Sequence, residues 1–450
     1  MKILVLNPPS ETGFIRSGRW TRKSRGNQQW YPIHLSYLTG FLIQKGYNCG
    51  LLDASASNMH SDIVFMYVTK VLQPDVIFYY WCYDNIDADL AFADLLAKYS
   101  KVILVGPWSF CEPNALLRTQ RINIMTYGEF EHTCLALLET NFNPDTRGTI
   151  WRDTHNQLHT NALRPLCSSQ ELDAMPFVTS VYKDFLKLQN YRQTSFRFPF
   201  VDTLTSRGCP SRCTFCLWVR AFQNGPSYRM RSVKNVIEEL WFIKNEMPEV
   251  KQIHLQDDTI PEKRAQELSQ AMIDENLNIT WSGYSRAELS FETLKLMKDS
   301  GLRTLHVGYE TNDPKSLALI QKDITVARME EFAHSIRQLD LWTCAGFMIY
   351  PWQTKDEVDS LIRWVKKTVR PRRFSFTQLF AYPNTPICKT LQEQPTNLST
   401  HDMTKLEKTG FTQYYIRNPR WWLDTAKHPR EWRNVSRDAL GLLKFMRDKN

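Results

Sequence analysis

Three cysteines stand close together: Cys209, Cys213 and Cys216, in the run Thr205-Ser206-Arg207-Gly208-Cys209-Pro210-Ser211-Arg212-Cys213-Thr214-Phe215-Cys216. Gaps of three and then two residues let one loop wrap thiolates around three corners of a cubic cluster, and thiolate is the ligand that iron–sulfur clusters prefer. A [4Fe–4S] cluster held this way has one iron with no protein ligand, and an open coordination position is what chemistry at a metal requires. Gly208 permits a tight turn into the loop. Two other readings compete. A structural zinc site would need a fourth Cys or His at a finger-like offset, and none lies close by. Unrelated core cysteines are the other, the reading that suits the singletons Cys82, Cys111, Cys134, Cys344 and Cys388.

A loop with that task must be held by regular elements, and the flanking sequence supplies them. From residue 201 short apolar runs alternate with helical patterns. Strands are predicted at Val201–Thr205, Gln252–Gln256, Ile279–Ser282, Thr304–Val307, Thr343–Met348 and Phe374–Thr377, and helices at 233–246, 262–275, 291–299, 326–338 and 355–368. Six strand–helix units predict a partial (β/α)6 barrel over 201–390, with its chemistry at the carboxyl ends of the strands. Residues 1–140 alternate in the same way, with strands at Ile3–Leu6, Cys49–Leu52, Val76–Tyr80, Val102–Val105 and Ile122–Met125 and helices at 34–46, 60–72, 87–99 and 129–139. That pattern predicts a doubly wound, Rossmann-like parallel sheet, so the fold class is α/β. Ligands of such a sheet sit beyond its strand ends. Here those ends are Asn7-Pro8-Pro9-Ser10, Trp81-Cys82-Tyr83, Gly106-Pro107-Trp108 and Tyr127-Gly128-Glu129. No Gly-x-Gly-x-x-Gly follows the first strand, so a nicotinamide or flavin dinucleotide fingerprint is absent. Residues 141–200 read as a linker with a small hairpin in Thr149–Asn161. Residues 391–450, rich in Arg, Lys and Trp, read as a mostly helical appendage.

Composition sets broad limits. At 450 residues, 42% hydrophobic and 23% charged, the chain is long enough for two cores and has an ordinary soluble balance. No run approaches the ~18 apolar residues of a membrane span. The opening Met1-Lys2-Ile3-Leu4-Val5-Leu6 stops at Pro8-Pro9 and reads as a buried strand, too short for the apolar part of a signal peptide, so a cytoplasmic location is expected. Ten cysteines dispersed over such a length argue against a disulfide framework. The net charge of +9 favours anionic partners in general. Nucleic acid is not favoured, because the basic residues are scattered and no RNA module follows the barrel.

The cysteine loop, with Phe215 before its last cysteine, resembles the motif of the radical S-adenosylmethionine superfamily. The likeness continues through Tyr228-Arg229-Met230-Arg231-Ser232-Val233, His254-Leu255-Gln256-Asp257-Asp258-Thr259, Val307-Gly308-Tyr309-Glu310, Gly346-Phe347-Met348-Ile349-Tyr350-Pro351 and Ala381-Tyr382-Pro383-Asn384-Thr385-Pro386. Each is similar to a barrel element of the subgroup with an N-terminal cobalamin-binding domain. The resemblance implies that the open iron chelates S-adenosylmethionine and that one electron from an external donor, such as flavodoxin or ferredoxin, yields a 5′-deoxyadenosyl radical. It makes Phe215, Asp257, Asp258, Arg286, Gly308 and Glu310 candidates to contact S-adenosylmethionine. One departure stands out: the usual Pro-Gly-Glu-Thr after the fifth strand is Pro351-Trp352-Gln353-Thr354.

The N-terminal region resembles the cobalamin-binding domain of the same subgroup. That likeness makes Pro8, Pro9, Ser10, Trp81, Tyr83, Gly106, Pro107, Trp108, Gly128 and Glu129 candidates to line a corrin crevice. The Asp-x-His-x-x-Gly motif is missing, as is usual in this subgroup. The activity implied is a cobalamin-dependent methyltransferase that methylates an unactivated carbon. Cyclisation, rearrangement or oxidation with the same cofactors, and RNA modification, are the alternatives. The substrate is read only as a small molecule or a peptide side chain. Arg16–Trp30 and Arg417–Arg433 are candidates to touch it, against the plainer reading of solvated basic faces.

Overall fold

The computed structural model describes residues 1–10, 14–16, 22–23, 28–222 and 225–427. They form two compact units. The first comprises residues 1–193, 201–203 and 218–235, and the second 194–200, 204–217 and 236 onward.

The first unit is built on β1 (Lys2–Asn7), β2 (Asn48–Asp53), β3 (Val76–Tyr80), β4 (Lys101–Val105), β5 (Ile124–Thr126), β6 (Thr149–Arg152) and β7 (Leu158–Thr160), in the order β2-β1-β3-β4-β5-β6-β7. The first five are mutually parallel. Val76-Ile77-Phe78-Tyr79-Tyr80 is buried along its whole length, as a strand covered on both faces must be. The helices α1 (Ile33–Gln44), α2 (Ser61–Met66), α3 (Ile86–Leu96) and α4 (Glu131–Glu139) fall between these strands, each close to its expected position. The order 2-1-3-4-5 puts the reversal of winding between β1 and β3, where doubly wound sheets take their ligands. The hairpin in 149–161 adds β6 and β7 antiparallel to the sheet edge, so this stretch of the expected linker is part of the first unit.

The second sheet has six strands in chain order: β8 (Phe200–Thr203), β9 (Gln252–Leu255), β10 (Trp281–Arg286), β11 (Leu302–Glu310), β12 (Trp342–Ile349) and β13 (Arg373–Gln378). Successive pairs from β9 onward are parallel, the pattern of a partial barrel. The helices α5 (Val233–Glu246), α6 (Glu262–Asp274), α7 (Phe291–Asp299), α8 (Val326–Gln338) and α9 (Lys355–Trp364) follow β8, β9, β10, β11 and β12. Two strands differ from expectation. β10 starts at Trp281 and runs to Arg286, because its second half (Gly283-Tyr284-Ser285-Arg286) is polar and carries no apolar run to detect. β11 extends to Glu310 through a register shift between Gly308 and Glu310. After the barrel, α10 (Thr400–Phe411) and α11 (Pro419–Ala426) belong to the second unit: Tyr414 stacks on Phe374 of β13 at 4.9 Å, and Tyr415 Oη receives the Phe374 amide.

Candidate active site

The cysteine loop leaves β8 at the carboxyl end of the second sheet. Its entry is fixed by a single carboxylate. Asp257, just beyond β9 and wholly buried, accepts the Thr205 amide at 2.6 Å, the Ser206 hydroxyl at 2.6 Å and the Thr205 hydroxyl. Burial raises the pKa of Asp257, while Ser206, Thr205 and the positive field of Arg264 oppose the rise. The neighbouring Asp258 accepts the amide of Gly208 at 3.0 Å, and Gly208 has φ of 98°, which disfavours any other residue. Further along, the Thr214 amide donates to Ile320 O and its carbonyl accepts the Ile387 amide, so the loop is bonded on both sides.

Within the loop Cys213 is buried while Cys209 and Cys216 are partly exposed, and all three are free thiols. The Cys216 amide bonds Cys213 O at 3.2 Å, a turn that closes the two-residue interval. Burial raises the Cys213 thiol, and the positive charges of Lys322 and Arg286 work against it. Cationic neighbours favour the thiolate that a metal needs. Among the described residues no three His, Cys, Asp or Glu side chains converge on a single-ion site.

Arg286, at the end of β10, donates to Ser211 Oγ at 2.9 Å, pairs with Glu288 at 2.9 Å and bonds Lys322 O. Glu310, at the end of β11, sits at φ of 67° and pairs with Lys322 at 3.0 Å, both side chains nearly buried. Gly308 leaves the room this requires, since a Cβ there would run into the Glu310 carboxylate and the Lys322 ammonium. Phe215 is half-buried on the loop. Lys322 was not singled out from the sequence: a lone lysine in the connection that leads into α8 carries no spacing signal. Tyr350, at the end of β12, was likewise missed as an individual. It is wholly buried, and its hydroxyl has no partner among the described residues. Glu310 and Cys213 bear electrostatically on this hydroxyl. Thus the ends of β8, β10, β11 and β12, with Lys322 from the connection after β11, bring three thiols, two cations, an acid and an unsatisfied hydroxyl to one end of the sheet. These groups suit a zwitterionic cofactor beside a cluster.

Trp352 is accommodated by packing. It is buried, stacks on Tyr350 at 4.8 Å, donates Nε1–H to Ser316 Oγ at 2.9 Å and accepts Asn397 Nδ2 on its carbonyl at 2.7 Å.

In the first unit the residues expected to line a crevice fall into two groups. Pro9, Ser10 and Tyr83 are half-buried at the rim, with Ser10 bonded to Ser55 at 2.7 Å. Pro8, Gly106, Pro107, Gly128, Trp81 and Trp108 are buried as the structure stands. Gly106 has φ of 124°, and a Cβ there would lie 2.9 Å from the Tyr80 ring. Glu129 is engaged in a nearly buried ion pair with Arg229 at 2.7 Å and also accepts the Cys167 amide. At the switch point, Asn7 Oδ1 at the end of β1 and Trp81 Nε1 just after β3 are buried without partners among the described residues. An acceptor and a donor left open on neighbouring strand ends fit a ligand whose rim carries amides, as the corrin ring does.

Arg16, within the first segment offered for substrate contact, is buried in a bidentate pair with Asp89. Residues 17–21 and 24–27 of that segment lie outside the described residues, as do 428–433 of the second. No helix among the described residues is long and apolar enough to cross a membrane.

Comparison with known proteins accords with this geometry. Residues 203–365 match the Radical SAM superfamily. The uncharacterised methyltransferase PH0819 of Pyrococcus horikoshii is 28% identical over 388 residues, 82% of this chain and 78% of that protein. The cytidylyl-2-hydroxyethylphosphonate methyltransferase of Streptomyces wedmorensis is 25% identical over 402 residues, 77% of this chain and 72% of that one. The structure of the cobalamin-dependent S-adenosylmethionine radical enzyme OxsB with aqua-cobalamin and S-adenosylmethionine bound superimposes with a TM-score of 0.69 at 14% identity, covering 98% of this chain and 71% of that one, which shows the shared fold. Residues 203–365 thus carry the match to the Radical SAM superfamily, and the chain as a whole shares the fold of a cobalamin-dependent S-adenosylmethionine radical enzyme.

Proposed function

We propose that this enzyme is a cobalamin-dependent radical S-adenosylmethionine methyltransferase acting on an unactivated carbon. The observation that carries the reading is the loop itself: Cys209, Cys213 and Cys216 presented from a strand end held by buried and half-buried polar contacts. When bound, the cluster and S-adenosylmethionine supply a hydrogen-abstracting 5′-deoxyadenosyl radical, and cobalamin supplies the methyl group. Around them the chain's own residues position and desolvate. Lys322 and Arg286 place positive charge beside the thiolates. Glu310 is the acid within reach of an amino group or a ribose hydroxyl, and the Tyr350 hydroxyl is a donor awaiting an acceptor. In the first unit, Asn7 and Trp81 offer the open acceptor and donor for cobalamin amides, with Ser10 and Tyr83 at the rim. Two relatives bearing methyltransferase names across more than three quarters of this chain support transfer of a methyl group. Its substrate is a small molecule or a peptide side chain, and an external one-electron donor serves the cluster.

The test is anaerobic reconstitution with iron, sulfide and hydroxocobalamin, followed by reduction in the presence of S-adenosylmethionine carrying a deuterated methyl group. Cluster absorption, one bound cobalamin and 5′-deoxyadenosine are the expected results, with S-adenosylhomocysteine reporting methyl transfer to cobalamin. An intact cluster that releases no 5′-deoxyadenosine would remove the radical assignment. Cleavage with no cobalamin bound would remove the methyl-transfer part alone.

A further inference from the structure

The second unit has a cleft at the other end of its sheet. Its walls are the last turns of α8, the residues that lead into β12 and β13, and the start of α11, enclosing about 680 Å³. These residues precede their strands, whereas the cysteine loop follows its own, so in a parallel sheet the cleft and the candidate active site lie at opposite ends. A volume of this size is that of a small-molecule pocket rather than a site for one ion.

The lining is strongly cationic. Arg337, Lys366, Arg370, Arg372, Arg420 and Lys427 face it, against two carboxylates, Asp340 and Asp424. Both carboxylates are already committed. Asp424 pairs with Arg370 at 3.1 Å and Lys427 at 3.5 Å, and Asp340 pairs with Arg372 at 3.1 Å. That leaves Arg337, Lys366 and Arg420 with no carboxylate among the described residues. Arg337 donates to the Thr368 carbonyl. Burial lowers its proton affinity first, and the positive charges of Arg370 and Arg420 lower it further. Cations crowded enough to perturb one another are costly unless an anion joins them.

The floor is tied together by polar contacts. The Tyr414 hydroxyl bonds Pro371 O, Trp421 Nε1 donates to Arg372 O at 3.1 Å, and the guanidinium of Arg372 lies over Trp342 at 5.7 Å from the ring centre. The short helix α11 lines the same wall from its cap Asn418 to Lys427 just past its end. Guanidinium forks matched to tetrahedral oxyanions make phosphoryl groups the natural guests.

We propose that this cleft binds a small ligand carrying two or more phosphoryl groups, of nucleotide size, at a site separate from the cofactors. The reading is independent of the proposed methyl transfer and stands or falls without it. The test uses the reconstituted holoenzyme saturated with S-adenosylmethionine, titrated calorimetrically with inorganic pyrophosphate and, separately, with ATP. One molar equivalent of either should bind, with affinity falling as salt rises. The double variant K366Q/R420Q should bind roughly tenfold or more weakly while its cluster absorption and thermal midpoint stay at wild-type values. A single R420Q variant, altering only an exposed side chain, should show a smaller loss in the same direction. No binding to the wild type, or equal binding to the double variant, overturns the proposal. So does binding of an oligonucleotide alone, which would make the surface a nucleic-acid contact. Stronger binding of ATP than of pyrophosphate would place the base in the cleft as well, and equal binding would confine recognition to the phosphates.

Discussion

The two parallel sheets solve the same problem with one device and different chemistry. In each, a fully buried aspartate at the end of the second-formed strand pins the loop that leaves the first. Asp53 closes β2 and accepts Asn7 Nδ2 at 2.8 Å, the Ala56 amide at 3.0 Å and the Tyr191 hydroxyl at 2.9 Å. Asn7 opens directly into Pro8-Pro9-Ser10. Asp257 follows β9 and accepts the Thr205 amide and the hydroxyls of Thr205 and Ser206, four and three residues before Cys209. Burial raises both carboxylates, and in both the hydrogen-bond donors oppose that rise. The donors differ in kind. Around Asp53 they come from an amide, a phenol and a local turn. Around Asp257 they all come from the two residues that lead into the cysteine loop. Asp257 therefore ties down one short segment, backbone and hydroxyls together, where Asp53 joins three separate stretches of the first unit. Tight placement of one segment is what three thiolates on one cluster would demand, whereas a broad macrocycle would tolerate a softer frame.

The sharpest way to break the comparison is to remove a thiolate. Cys213→Ala should abolish the cluster absorption and bring 5′-deoxyadenosine formation below about one-thousandth of the wild-type rate. Cobalamin uptake by the first unit should be unchanged, as absorption spectroscopy would show. A variant that still assembles a redox-active cluster would mean that the loop is not its holder.

Next come the two pins. Asp257→Asn keeps the shape but turns one acceptor into a donor facing hydroxyl and amide donors, a loss of about 2–3 kcal/mol. Thermal unfolding should shift down and iron content should fall. Asp53→Asn should destabilise by a similar amount through the same mismatch, yet leave iron content intact and weaken cobalamin retention. If both variants lose iron equally, the division of labour argued from their donors is wrong. A smaller effect is expected at Gly106→Ala. There φ of 124° and the Tyr80 ring oppose a Cβ, costing about 1–3 kcal/mol with no change in S-adenosylmethionine cleavage.

Much of this was legible in the sequence, for identifiable reasons. The helices of the second unit follow apolar periodicity closely, and Val233–Glu246, Phe291–Asp299 and Val326–Gln338 coincide with expectation. The candidate thiolate set stands out in the sequence because its three cysteines lie close together in the chain. What escaped is what depends on distance across the fold. Asp257 was expected to touch the cofactor, but its oxygens are taken by Thr205 and Ser206, some fifty residues earlier in sequence. Glu129 was expected at a corrin rim and is bound to Arg229. A carboxylate at a strand end advertises that it needs partners without saying which. Lys322 gave no signal, because its importance comes only from Glu310 and Cys213 folding around it.

Trp352 offers the finest discrimination. By the resemblance read from the sequence, the usual residue at this position is glycine. The structure gives the indole two attachments: the stack on Tyr350 and the Nε1–H bond to Ser316 Oγ at 2.9 Å. Trp352→Phe preserves the stack and removes the bond, which should cost about 1 kcal/mol of stability. Because the stack holds the Tyr350 ring whose hydroxyl is unsatisfied beside Glu310 and Cys213, the S-adenosylmethionine affinity should stay near the wild-type value. Tyr350→Phe, which keeps the ring and deletes the hydroxyl, should instead weaken S-adenosylmethionine binding with little loss of stability. Reversal of those two responses would show that the tryptophan shapes the cofactor pocket directly, and that Tyr350 is only a wall beneath it.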